Sequence, residues 1–140
     1  MRYIILVSHG TFAPGLHNAA GMMLGERADI RSTSLEDGMD TETYKANVAK
    51  LVEDIGTEDE ILLLADIIGG SPLTNALNVL TEHGLLEKTA AIGGMNFPMV
   101  LTAAFADEDM SLAEVAEEVM GEAKEQIKRF DLGIDADDEI

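Results

Sequence analysis

Two short runs, Tyr3 to Val7 and Ile61 to Ala65, are apolar without alternation. A strand covered on both faces reads in this way, because neither side of it meets water. Ile30 to Ser34 and Thr89 to Ile92 carry a weaker form of the same signal. Between these runs the apolar period changes. Tyr44, Val48, Leu51, Val52 and Ile55 stand at offsets 0, 4, 7, 8 and 11, which is one stripe of a helix. Leu73, Ala76, Leu77 and Leu80 repeat it, and Pro14 to Leu24 shows it through Leu16, Ala20, Met23 and Leu24.

Later in the chain, Ser111-Leu112-Ala113-Glu114 has the form of a capping box. The serine oxygen takes one free helix N–H, and the glutamate reaches back to another. The stripe behind it is Leu112, Val115, Ala116, Val119, Met120, Ala123 and Ile127, and a further short helix is expected from Pro98 to Phe105. The resulting order, β-α-β-α-β-α-β-α-α, predicts an α/β protein with an open parallel sheet. Residues 1–130 read as a single domain. Residues 131–140 hold five acids and no base, an acidic tail in which Phe130, Leu132 and Ile134 alternate as a short edge strand would.

Composition narrows the function. The chain has 140 residues and is 46% hydrophobic, enough for one packed core. With 9 Lys+Arg against 27 Asp+Glu, its formal charge is −18. A surface so negative repels nucleic-acid phosphates and suits basic patches on proteins. Cysteine is absent, which excludes disulfides, thiolate metal sites and a cysteine nucleophile. The apolar runs fall short of the roughly 20 residues that cross a bilayer, and the first eight residues lack a signal-peptide pattern. A cytoplasmic location is expected, with any membrane contact only indirect.

In a sheet whose crossovers are right-handed, every strand points its C-terminal end to one edge, where ligands bind. The residues that follow the strands are therefore the candidates: Ser8-His9-Gly10-Thr11, then Asp66-Ile67-Ile68-Gly69-Gly70-Ser71-Pro72, then Gly93-Gly94-Met95-Asn96-Phe97-Pro98. Neighbouring strands lie about 4.8 Å apart, so an aspartate ending one can reach a histidine ending the next. A carboxylate at one ring nitrogen fixes the tautomer, frees the other nitrogen and offsets positive charge on the ring. Such a histidine serves as nucleophile, base or metal ligand. Taken alone, His9 also reads as a structural strand-end residue, and Asp66 as a turn former. Ser71 before Pro72 predicts a helix start with serine as N-cap, and two preceding glycines let backbone N–H groups approach an anion. The plain alternative is a well-capped helix.

These three segments in register resemble the mannose-type (mannose/fructose/sorbose) IIA component of the bacterial phosphoenolpyruvate-dependent sugar phosphotransferase system. The resemblance covers roughly the whole chain. It implies a four-stranded sheet in the order 2-1-3-4 with helices on both faces, and a homodimer that exchanges a C-terminal antiparallel edge strand. It implies that His9 accepts a phosphoryl group from the carrier protein HPr and passes it to the IIB component of a sugar permease, with no cofactor and no metal. Asp66 matches the orienting carboxylate, and Ser71 matches a residue of the phosphoryl-binding helix start. Gly10, Thr11, Gly69 and Gly70 complete the expected phosphoryl-binding set, and Met95, Asn96 and Met99 are expected to touch a partner.

The remaining candidates are weaker. His17 lies off its helical stripe and reads as solvated, while His83 before Gly84 reads as a helix-end cation. Met22, Met23 and Met120 read as core fillers, and Asp107-Glu108-Asp109 as a solvated loop without calcium-loop spacing. Two other functions stay open. One is a non-catalytic sensor of phosphorylation state. The other is a tetrapyrrole metal chelatase, which would use His9 as base or ligand and would need a second histidine at another strand end.

Overall fold

The computed structural model describes residues 1–133. Its elements follow the chain as β1 (Arg2–His9), α1 (Phe12–Leu24), β2 (Ile30–Leu35), α2 (Thr41–Leu51), β3 (Glu60–Ala65) and α3 (Ser71–Glu82). A single 3-10 turn, Leu86–Lys88, leads into β4 (Thr89–Ile92), followed by α4 (Phe97–Phe105) and α5 (Leu112–Glu125). The four strands are parallel and lie in the order β2-β1-β3-β4. This is the order the resemblance implied.

Alternate strand residues build two cores, as a pleated sheet requires. Ile4, Leu6, Ile30, Leu62, Leu64 and Ile92 face α1, α4 and α5, where they meet Ala13, Ala20, Val100, Val115 and Val119. Tyr3, Ile5, Val7, Ile61, Leu63 and Ala65 face α2 and α3, and meet Tyr44, Val48, Leu73 and Ala76. The central strands β1 and β3 are covered on both sides, which is why they read as unbroken apolar runs. The predicted capping box is present at the start of α5, with both reciprocal bonds between Ser111 and Glu114 made.

Two expectations fail here. Met22 and Met23 are 87% and 64% exposed, because α1 turns Ala13, Leu16, Ala20 and Leu24 inward. Met120 does pack on the core. Ile127 lies beyond the end of α5 and is exposed, so the last residue of that stripe contributes no burial. Residues 126–133 form no strand, and Phe130 and Leu132 are exposed; the rest of the proposed edge strand, Ile134 onward, lies outside the described residues.

At the N-terminal edge of the sheet Arg2 pairs with Glu60, Arg27 with Asp29 and Arg31 with Asp54. The Arg27 and Arg31 guanidiniums also donate to the carbonyls of Ala104 and Leu51, which ties loops and helix ends to the base of the sheet.

Candidate phosphoryl-transfer site

β1 runs two residues past the position where Val7 pairs with Ala65, and so carries His9 out of the core. The next residue, Gly10, has φ of +58°, a left-handed turn that a side chain would strain. Its N–H donates to the Leu35 carbonyl, so Gly10 shapes the turn and its amide is unavailable to a ligand. Ser8 holds the turn from beneath. Its fully buried hydroxyl accepts the Ala13 N–H of the first turn of α1 at 2.7 Å and donates to the His9 carbonyl at 3.0 Å. Removing that oxygen would leave a buried N–H without an acceptor, at a cost of about 1–3 kcal/mol. No local pattern in the sequence singled out Ser8, because its partner lies across the turn. Thr11 occupies the N-cap position but makes no capping bond.

Asp66 leaves β3 beside this turn. One oxygen, Oδ2, accepts both the His9 main-chain N–H at 3.0 Å and lies 2.9 Å from His9 Nδ1; the other, Oδ1, accepts the Ile67 N–H at 2.9 Å. Burial pushes the Asp66 carboxyl up, but the His9 main-chain N–H, the His9 ring and the Ile67 N–H together outweigh it and hold the carboxyl below its usual value. An ionised carboxylate accepts and cannot donate, so the proton between the two groups sits on Nδ1. Nε2 then carries the lone pair. The histidine side chain is 47% exposed and the aspartate 15%, which leaves the ring open while its anchor is sheltered.

The start of α3 closes over the ring. Gly69 has φ of +76°, and a Cβ placed on Gly70 would lie 3.3 Å from His9 Cε1, so only a bare backbone sits comfortably there. Gly70, rather than Ser71, is the N-cap, and Ser71 is the first helical residue with Pro72 after it. The predicted serine cap is absent because the chain reaches helical geometry one residue sooner. The Gly70 N–H is turned to the Ile67 carbonyl at 3.4 Å. Among the described residues, the N–H groups of Ser71 and Leu73 have no protein acceptor, and they are the donors that α3 offers at this edge.

The loop from Asp66 to Gly70 is supported by the turn that follows β4. Gly94 donates to the Asp66 carbonyl and Met95 to that of Ala65. A Cβ on Gly93 would fall 2.5 Å from Ile68 Cβ and 2.6 Å from its Cα, so this glycine exists for close approach. Gly93→Ala is expected to push the loop off this turn and lower stability by about 1–3 kcal/mol, read by urea denaturation. Unchanged unfolding would show that the loop does not depend on this contact.

Two partner-contact candidates are displaced by the geometry. Met95 and Met99 are 4% and 3% exposed and fill the core under α4, so neither presents a surface to another protein. Asn96 caps α4 by accepting the Met99 N–H and donates to the Ala123 carbonyl, a structural post. The apolar side chains that do stand open near His9 are Phe12, Ile67 and Ile68. Apolar character alone could not separate these groups in the sequence.

The other histidines lie elsewhere. His17 is half-buried on α1 with Nδ1 2.7 Å from Ser32 Oγ, so it is not the solvated side chain expected. His83 caps the far end of α3, its Nδ1 2.9 Å from the Val79 carbonyl. Neither supplies a second histidine at the C-terminal edge. Among the described residues no group of three His, Asp or Glu is placed to hold a metal ion, and no helix is long and apolar enough to cross a membrane.

Comparison with known proteins agrees with this geometry. Residues 3–120 match the family described as the PTS system fructose IIA component. The chain is 28% identical to the fructose-specific EIIA component of Bacillus subtilis, over 80% of this chain and 75% of that protein. It is 31% identical to the mannose-specific EIIAB component of Escherichia coli strain K12 over 89% of this chain, which spans 38% of that longer protein. Its fold superposes on the mannose/sorbose specific IIA subunit from Enterococcus faecalis with a TM-score of 0.80 at 24% identity, covering 94% and 96% of the two chains. A IIA protein associated with the fucose utilization operon of Streptococcus pneumoniae gives 0.71 at 26% identity, covering 91% and 96%. The chain thus belongs to the mannose-type IIA family, the phosphoryl-carrying components of sugar phosphotransferase systems.

Proposed function

We propose that His9 is the phosphoryl acceptor of this IIA component, taking the group on Nε2 from phosphorylated HPr and passing it to the IIB component of a sugar permease. One observation carries the reading: an imidazole gripped at Nδ1 by an ionised carboxylate 2.9 Å away, with its other nitrogen open at the ligand-binding edge. In the accepting step the Nε2 lone pair forms a bond to phosphorus as the donor's N–P bond breaks in line, and the donor imidazole leaves with that electron pair. The His9 ring becomes more cationic, and Asp66 offsets the charge across the Nδ1–H bond. The Ser71 and Leu73 N–H groups, with the hydroxyls of Ser71 and Thr11, receive the phosphoryl oxygens at the positive end of α3. The second step is the same chemistry run toward IIB.

Phe12, Ile67 and Ile68 form an apolar rim beside the ring, the part of the surface that both protein partners would cover. Ile68→Asp is expected to raise the KM for phosphorylated HPr by about tenfold while kcat stays near the wild-type value. A change confined to kcat would place Ile68 in the chemistry instead of the encounter. A homodimer belongs to the same proposal, supported by the exposed apolar side chains of Phe130 and Leu132 beyond α5.

Incubation with phosphoenolpyruvate, enzyme I and HPr tests the reading, followed by peptide mass spectrometry. One phosphoryl group on His9 that moves to IIB on its addition is the expected result. A modified His9 that gives nothing to IIB favours a sensor of phosphorylation state. No modification, with a metal-dependent spectral change on adding a porphyrinoid, would overturn the proposal in favour of a chelatase.

A further inference from the structure

Tyr44 lies on α2 and is fully buried in the core that also holds Val7, Ala65 and the apolar face of α3. A phenylalanine would fill that volume without bringing a polar atom into the core. The tyrosine hydroxyl instead donates to the Pro72 carbonyl at 2.6 Å, a short bond to the second residue of α3. A carbonyl oxygen has two lone pairs, so this one can hold its helical bond and the phenol together. Burial pushes the Tyr44 phenol well above its usual pKa, and the negative charge of Asp66 pushes it further, so the hydroxyl stays a donor.

What the bond fixes is the end of α3 nearest the imidazole. Gly70, two residues before Pro72, packs against His9 Cε1, and the Ser71 and Leu73 N–H groups flank Pro72 on either side. Proline has no N–H, so the first turn of α3 has one fewer donor than usual and its aim rests on outside support. Other bonds in this turn run within it: Thr74 and Asn75 return their side chains to the Gly70 and Ser71 carbonyls. Tyr44 is the support that arrives from a different helix.

We propose that Tyr44 is a positioning residue for phosphoryl transfer, its hydroxyl clamping the Pro72 carbonyl so that the first turn of α3 holds its amides in place over Nε2 of His9. This inference rests on the proposed carrier function. It adds a residue that touches neither phosphate nor partner and acts through α3.

Tyr44→Phe is the test, since it removes one oxygen and keeps the ring. The steady-state rate of phosphoryl passage from HPr is expected to show kcat reduced about tenfold, with the KM for HPr within about twofold of wild type. Phosphorylated His9, isolated from its donor, is expected to hydrolyse faster in the variant. Amide hydrogen exchange on the unphosphorylated protein gives a readout independent of transfer: protection at residues 74–76 should fall while that of α5 stays the same. Equal kcat together with unchanged exchange would overturn the clamp. Exchange lost throughout the molecule would also overturn it, since the hydroxyl would then support the whole core and not one helix end. If wild-type protein takes up no phosphoryl group, the carrier reading fails by itself, and the exchange comparison still decides whether Tyr44 holds α3.

Discussion

His9→Gln is expected to take up no phosphoryl group from HPr while keeping the wild-type fold. The side chain is half open to solvent and contributes to neither core, so its loss leaves the packing of β1 intact. Its main-chain N–H still donates to Asp66, and Ser8 still holds the turn into α1. What disappears is the one imidazole nitrogen that the described residues place at this edge, since glutamine offers an amide with no basic lone pair. Mass spectrometry after incubation with phosphoenolpyruvate, enzyme I and HPr reads the outcome, and circular dichroism reads the fold. A phosphorylated His9→Gln protein would move the acceptor to His17 or His83 and end the assignment.

Asp66→Asn follows as the second large effect, slowing phosphoryl uptake by roughly 10²–10⁴-fold. Two losses combine. The amide carries no charge, so the cationic ring in the transition state goes uncompensated. The amide can also turn its NH2 group toward Nδ1, which selects the tautomer with the proton on Nε2 and removes the attacking lone pair. Rapid-quench measurement of uptake from phosphorylated HPr checks this, and a rate within about threefold of wild type would show that His9 needs no carboxylate.

The same substitution has a signature in stability. Asp66 titrates below its usual value in the folded protein, so its contribution is present above the ordinary carboxylate range and fades as pH falls through the lowered folded value. Thermal unfolding of the wild type should therefore lose stability through that acid window, and Asp66→Asn should lose less there.

Much of this architecture is written into local patterns. Tyr3 to Val7 and Ile61 to Ala65 announced central strands because both faces are buried, and Ser111 with Glu114 announced the start of α5 because a capping box needs residues only three apart. The strand order came with the family resemblance, since no hydrophobic period encodes which strand neighbours which. The pairing of His9 with Asp66 was legible once both were placed at strand ends. The support around it was not. Ser8 reaches a residue across a turn, Gly93 answers a close approach by Ile68, and Tyr44 finds Pro72 from 28 positions away. Each of those depends on distances that exist only in the folded chain. Methionine failed in both directions, with Met22 outside and Met95 and Met99 inside, because hydrophobicity reports a preference for burial and says nothing of which side of a helix meets the sheet.

One oxygen of Asp66 holds both the backbone and the ring of the same histidine. That pinch sets the torsion between them before any visitor comes. Encounters between diffusing carriers are brief, and a nucleophile that had to swing about in search of its angle would let most of them pass unused. Here the search is over in advance, and every well-aimed collision finds the nitrogen already waiting.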